Sequence, residues 1–311
     1  MATKVVATAF GGPEVLSVVE VEVPQPGPGE VVIAVRAAGV NPWDHKVVSG
    51  AMGADPDRLP LPVGLEVAGV VTAVGPDAVG PSGAIAVGDE VVASGVQGGY
   101  ADTVTASAAV VVPKPPGLDW AVAGSLLSVG ATAVHALSVV TPKPGETLLV
   151  HGAAGSVGQI TVQLAVQDGV RVIGTAGESN HDLLRSYGVT PVTYGPGLTD
   201  RVRALAPDGV DAAVDTVGTD EAVDTSLDLV GDPGRIVSIA AFGRAATGIA
   251  LISGDSGTKV RANAWRRLLP AAADGSLKLV VARTYPLTEA AEALRFVRDG
   301  HAGGKVVLLP S

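Results

Sequence analysis

Valine-rich runs broken by glycine and proline open the chain. "KVVATAF", "LSVVEVEV", "EVVIAVRAAGV", "EVAGVVTAVG", "DEVVASGV" and "YADTVTASAAVVV" are separated by clusters such as "PQPGPGE" and "PDAVGPSGAIAVGDE". Short apolar stretches with that punctuation predict strands of a barrel-like β domain. From about residue 119 the rhythm changes. Runs at 147–151, 170–174, 190–194, 210–215, 234–239 and 247–252 read as strands, and 155–168, 178–187 and 219–230 carry helical spacing between them. Strand–helix alternation predicts a parallel sheet with helices on both faces. The tail, "LVVARTYPLTEAAEALRFVRDGHAGGKVVLLP", reads as strand, helix, strand and is expected to return to the first domain.

One segment, 121–142, has no charge over a membrane-like length, but Gly, Ser, Thr, Ala and a histidine dilute it. A buried core helix is the expectation, because a spanning helix wants about 20 predominantly apolar residues. The 311 residues suggest two domains at roughly 150 residues each. With 31 acidic against 21 basic residues the net charge is −10, which argues against partners such as nucleic acid or an anionic membrane. The N-terminal "MATKVVATAFGG" is too short an apolar stretch for a signal peptide. There is no cysteine, which excludes disulfides, thiolate zinc sites and thiol catalysis and fits a cytoplasmic setting.

Chemistry concentrates at "LLVHGAAGSVGQITVQLA", residues 148–165. An apolar strand turns through small residues into a helix, the layout of a phosphate-binding dinucleotide loop, except that Ala153 stands where the first glycine of G-x-G-x-x-G belongs. Gly155 would let the backbone approach a pyrophosphate, Gly158 would permit close helix–strand packing, and the N–H groups of Ser156 and Val157 would meet the anion. Alanine is tolerable at 153 if the turn there needs no positive φ. At the end of the next strand, Gly174-Thr175 replaces the carboxylate of an NAD site, so the balance tilts to NADPH, although no arginine or lysine lies in that stretch.

"GVNPWDHKVVSG", "GLEVAGVVTAVG", "GGYAD", "GATAVHAL", "VHGAAGSVGQ", "VIGTAG" and "GGKVVL" occur in this order and span nearly the whole chain. Together they resemble the zinc-independent quinone oxidoreductase branch of the medium-chain dehydrogenase/reductase superfamily. The resemblance implies an α/β protein: a Rossmann doubly wound parallel sheet over 120–255, with a GroES-like β-barrel catalytic domain over 1–119 and 256–311. It implies a variant A-x-x-G-x-x-G phosphate loop, NADPH as cofactor, and a homodimer paired through the edge strand "TGIALIS". It places Asn41 and Thr132 near the nicotinamide, and Ala154, Gly155, Ser156 and Val157 at the pyrophosphate. Thr175, Asn180 and Tyr194 would surround the adenosine 2′-phosphate, the backbone of Ala241 and Phe242 would bind the carboxamide, and Lys305 would approach the cofactor. Lys46 matches a lysine found near the substrate in relatives that reduce activated alkenes. Tyrosines of some quinone reductases correspond here to Lys46 and Met52.

The resemblance also matches the catalytic zinc ligands of other relatives to Asn41, Leu65 and Ser128. Leucine has no donor atom and asparagine is a poor Zn²⁺ ligand, so no metal is expected. Asp44, His45 and Glu66 match no zinc spacing, and Glu66 is expected to be structural. The expected activity is hydride transfer from NADPH to a quinone or an α,β-unsaturated carbonyl, with Asn41 and Lys46 as catalytic candidates. The alternative is an NADPH-binding protein without catalysis. Gly-Asp-Ser-Gly within 253–257 mimics a serine protease motif in the wrong fold context. "GHAGGKV" lacks P-loop spacing. His135 and His151 are expected to be satisfied interior histidines, and His301 to end the last helix.

Overall fold

The computed structural model describes residues 1–23, 25–253, 256–300 and 302–310. The chain forms two compact units, residues 1–128 with 265–311, and residues 129–264. His301 and the first two residues of the Gly-Asp-Ser-Gly stretch, Gly254 and Asp255, lie outside the described residues.

The first unit is built on a seven-stranded sheet. Its backbone order runs Val111–Pro113, Glu90–Ser94, Glu66–Val74, Glu30–Val40, Lys305–Leu309, Val281–Pro286, with Thr103–Ser107 also paired to Glu30–Val40. A three-stranded sheet places Ala2–Ala7 between Leu16–Val21 and Leu61–Pro62. Val306 pairs with Val40 in antiparallel register, so the tail does return to the first domain. Valine, isoleucine and alanine from these strands, Ile33, Val67, Val91 and Val306 among them, form one core. The run "YADTVTASAAVVV" is two strands, because a single 3-10 turn, Ala108–Val110, capped by Ser107, interrupts it.

The second unit is a six-stranded parallel sheet. Its order is Thr190–Val192, Arg171–Thr175, Thr147–His151, Ala212–Asp215, Ile236–Ser238, Ala250–Leu251. This is the 3-2-1-4-5-6 order of a dinucleotide-binding sheet. Alternation along the first strand sends Leu148 and Val150 into one core and Leu149 into the other, so both faces are covered. The expected helices appear at Ser156–Gln167, His181–Ser186 and Asp220–Leu229, the second preceded by a 3-10 turn over Glu178–Asn180. Helices at Leu198–Leu205 and Thr258–Asn263 here, and Trp265–Ala273 in the first unit, were not foreseen. The strand expected over 247–252 shrinks to Ala250–Leu251 and lies at the sheet edge.

Helix Trp120–Val140 is long and apolar enough to cross a membrane, with a hydropathy of 1.6, but 56% of that window is buried inside the protein. Ala123 and Leu126 pack within the first unit, Ala136 and Val140 within the second.

Candidate functional site

In the second unit, the carboxyl ends of the strands carry the expected cofactor residues. Gly152 takes φ +71°, while Ala153 is absent from the residues with positive φ, so alanine is accommodated without strain. Ala153 is fully buried, and a Cβ on Gly174 would come within 2.7 Å of its methyl, which explains the glycine opposite it. A Cβ on Gly158 would meet the Gly152 carbonyl oxygen at 2.2 Å, so the helix backbone lies directly on the turn. Gly155 is exposed, and Ser156 and Val157 are half-buried. The N–H groups of Ser156, Val157 and Gly158 have no backbone acceptor among the described residues, which leaves them for an anion at a helix N-terminus.

Around this loop the other strand ends present apolar side chains to solvent. Tyr194 is 53% exposed, Val217 49% and Phe242 45%, an unusual gathering at one end of a sheet. Thr175 is buried and its hydroxyl accepts from the Gly152 N–H at 3.1 Å, so it braces the glycine turn. Asn180 is half-buried and ends a 3-10 turn beside Gly177, whose Cβ would lie 3.8 Å from the Tyr194 hydroxyl. At Ala241 the N–H donates to Ser238 Oγ at 2.9 Å and the carbonyl accepts from Arg244 at 2.9 Å. The Phe242 N–H donates to Ala240.

Two features here were not legible locally. Arg201, on helix Leu198–Leu205, donates to the carbonyls of Thr193, Gly195 and Pro196 at 2.7–3.2 Å, and Glu221 accepts from the Gly195 N–H at 2.9 Å. A cation thus sits under the Tyr194 loop although none occurs in the stretch after Gly174. Its only local signal was an Arg four residues into a short amphipathic run. His151 is buried, with Nε2 3.1 Å from Ser226 Oγ, and burial brings its pKa down to about 4. His135 departs from expectation: it is buried, and its Nδ1 has no partner among the described residues.

In the first unit a buried ionic cluster forms where strand Glu30–Val40 runs into helix Pro42–Val48. Asn41 precedes the helix, Pro42 starts it, and the Asp44 carboxylate accepts from the Asn41 N–H at 2.8 Å. Lys305 Nζ donates to Asn41 Oδ1 at 2.7 Å, Glu66 Oε1 at 2.9 Å and the Val40 carbonyl at 3.2 Å. Asn41 Nδ2 also donates to Glu66 Oε1, at 3.0 Å, and Glu66 Oε2 accepts from the Ser128 N–H at 2.9 Å. Tyr100 donates its hydroxyl to Asp44 Oδ2 at 2.8 Å. All three ammonium protons of Lys305 are therefore engaged inside this unit. Burial pushes the Asp44 carboxyl up to about 7, opposed by hydrogen bonds from Asn41 and Tyr100 and by the Lys305 charge. Burial likewise raises Tyr100, with the Asp44 charge adding to it. Lys46 lies on the exposed side of helix Pro42–Val48, and Met52 is 49% exposed. A cleft of about 600 Å³ in this unit, lined by Ile85, Glu90, Val112 and Lys114 among others, includes none of these residues.

No cluster of three metal-ligating side chains exists among the described residues. The three positions matched to zinc ligands hold Asn41, Leu65 and Ser128, and the Lys305 ammonium already sits between Asn41 and Glu66. A dication there would face a buried cation that already occupies the oxygens of Asn41 and Glu66, and Leu65 offers no donor atom, so the donor set does not fit Zn²⁺.

Comparison with known proteins agrees with this architecture. Residues 27–116 match the alcohol dehydrogenase GroES-like domain, and residues 187–308 match the zinc-binding dehydrogenase family. Mouse quinone oxidoreductase is 34% identical over 321 residues, covering 96% of this chain and 95% of that one. A segment of the pikromycin polyketide synthase component PikAII of Streptomyces venezuelae is 36% identical over 307 residues, 93% of this chain but only 8% of that protein. A mycobacterial protein solved with NADPH superposes with a TM-score of 0.86 at 33% identity, each chain covered completely. The chain belongs to the quinone oxidoreductase branch of the medium-chain dehydrogenase/reductase superfamily.

Proposed function

We propose that the protein is an NADPH-dependent oxidoreductase that passes hydride to a quinone or an α,β-unsaturated carbonyl without zinc. The observation that carries this reading is the open helix N-terminus after Gly155, ringed by exposed Tyr194, Val217 and Phe242 at the carboxyl end of a parallel sheet. The residues fit a bound dinucleotide. Ser156 and Val157 would hold the pyrophosphate, Asn180 and Tyr194 the adenosine 2′-phosphate end, and Thr132 the nicotinamide end. NADPH supplies the hydride when bound. The chain's own groups orient the acceptor, exclude water and stabilise the oxygen that gains charge. Lys46 is the proposed donor to that oxygen, with Asn41 placed by its cluster. The cysteine-free composition fits a reducing cytoplasm.

The test is NADPH oxidation with a panel of quinones and enones after prolonged chelation, alongside fluorescence titration with NADPH and NADH. Turnover that survives chelation, with tighter binding of NADPH, is the expected outcome. Cofactor binding without turnover on any acceptor would favour a non-catalytic binding protein, and loss of activity restored by one equivalent of zinc would overturn the metal-free reading.

A further inference from the structure

Arg261 is a half-buried guanidinium on helix Thr258–Asn263, and its one hydrogen bond is from Nη1 to Thr132 Oγ1 at 3.0 Å. It has no ion pair among the described residues, whereas Arg235 and Arg244 in the same unit are each paired with carboxylates. Burial holds its pKa below the ordinary arginine value, and no carboxylate among the described residues offsets that cost. The Nε–Nη2 edge, the side of the fork that receives a carboxylate in bidentate fashion, is unused.

Its surroundings are built rather than incidental. The His135 ring, one helical turn beyond Thr132, packs against Gly257, where an added Cβ would lie 2.3 Å from Nε2. Gly257 takes φ +64° and begins the helix that carries Arg261, so the imidazole fixes where that helix starts. Burial and the neighbouring Arg261 charge lower the His135 pKa, and its buried Nδ1 has no partner among the described residues. Helix Trp120–Val140 ends at the amino edge of the sheet, where Arg235, just before Ile236, donates to the Val140 carbonyl at 3.3 Å. Thr132 lies eight residues, about 12 Å, back along that helix, towards the carboxyl edge where the glycine turn and Phe242 stand.

We infer that Arg261, with Thr132 and His135 behind it, is an anion-recognition site that selects acceptors bearing a carboxylate in addition to the reacting carbonyl. The inference rests on the hydride-transfer reading above and adds the substrate class. In a protein of net charge −10, anionic acceptors are disfavoured by the overall field, so a local unpaired guanidinium decides for them. With 4-oxopent-2-enoate, hydride adds to the alkene carbon β to the ketone and the alkene electron pair moves to the ketone oxygen. Water then protonates the resulting enolate carbon, NADPH is left as NADP⁺, and the carboxylate keeps its bonds and its charge.

The experiment compares 4-oxopent-2-enoate with its methyl ester in the wild type and in Arg261→Met, with NADPH affinity measured by fluorescence. A charge-assisted pair predicts a KM about tenfold or more lower for the acid than for the ester in the wild type. In Arg261→Met that preference disappears while ester kinetics and NADPH affinity hold. Equal preference in the wild type overturns the inference, as does a fall in NADPH affinity, which would assign the guanidinium to a cofactor phosphate. Calorimetry of 4-oxopentanoate, the non-reducible saturated acid, binding to the NADP⁺-loaded protein separates the two readings. Arg261-dependent binding there supports the anion site even where no acceptor turns over, and its absence refutes the site whether or not the ester is reduced.

Discussion

At the scale of single residues, electrostatics is concentrated in two buried places. The cluster of Asn41, Asp44, Glu66, Tyr100 and Lys305 holds two carboxylates against one ammonium. Raising Asp44 from 3.8 to about 7 means that the folded state binds its proton more tightly than the unfolded state. That group favours folding at low pH, and its contribution is lost as pH rises from about 4 to about 7. His151 has the opposite sign: lowered from 6.5 to about 4, it costs stability as pH falls through the same window. Asp44→Asn keeps an acceptor for Tyr100 and removes the charge. The melting temperature of the variant relative to wild type should therefore climb between pH 4 and pH 7 and then level. A difference constant with pH would show that Asp44 ionises normally. Lys46 tests the chemistry instead. If its ammonium meets the oxygen that gains charge, Lys46→Ala should bind NADPH like the wild type while the hydride step slows by about 10²–10³, read by stopped flow. An unchanged rate would return Lys46 to the solvated surface. The ionic cluster was not legible beforehand, because Lys305 meets residues 264 and 239 positions away and no spacing rule reaches that far.

At the scale of elements, the glycine turn was readable because its chemistry is local. Strand, small residues and helix occupy 18 consecutive positions, and Ala153 fits because Gly152, one residue earlier, takes the left-handed conformation. The close approach makes Gly158 the sensitive point. A methyl there would press on the Gly152 carbonyl and the Ala153 Cα, backbone atoms that cannot step aside. Gly158→Ala is expected to cost about 1–3 kcal/mol by overpacking and to weaken NADPH binding well beyond what that loss of stability explains. Paired denaturation and fluorescence titration measure both, and a variant with wild-type affinity would show that the helix N-terminus does not need this closeness. The missed elements share a physical cause. Helices Leu198–Leu205 and Thr258–Asn263 have eight and six residues and each begins at a glycine with positive φ, so sequence periodicity has little length to act on. Arg201 went unseen with the first of them, since its role depends on folding back over carbonyls five to eight residues earlier.

At the scale of the whole molecule, both fold halves were legible from the switch between valine-rich strands and strand–helix alternation, whereas association depends on surfaces that no pattern describes. The parallel sheet ends at Ala250–Leu251, whose one strand neighbour among the described residues is Ile236–Ser238. Ala250 and Leu251 are half-buried while the flanking Ile249 and Ile252 are buried, so an apolar backbone edge stands at the margin of the second unit. Unpaired edge strands template pairing with another chain, and a soluble protein manages them by shortening, charging or covering them. This one is short but carries no charge. We propose that a second copy covers it, giving an isologous dimer in which each edge meets its own symmetry mate. Multi-angle light scattering at micromolar concentration should then report twice the mass of the 311-residue chain. Leu251→Lys places a charge on the edge at a half-buried residue that also packs on the core around Leu149 and Ile236, so a denaturation control accompanies it. The folded variant should shift to monomer while leaving NADPH affinity unchanged, because the glycine turn lies three strands away in the sheet. A wild type that scatters as monomer would refute the pairing. A dimer that survives Leu251→Lys would move it to another surface.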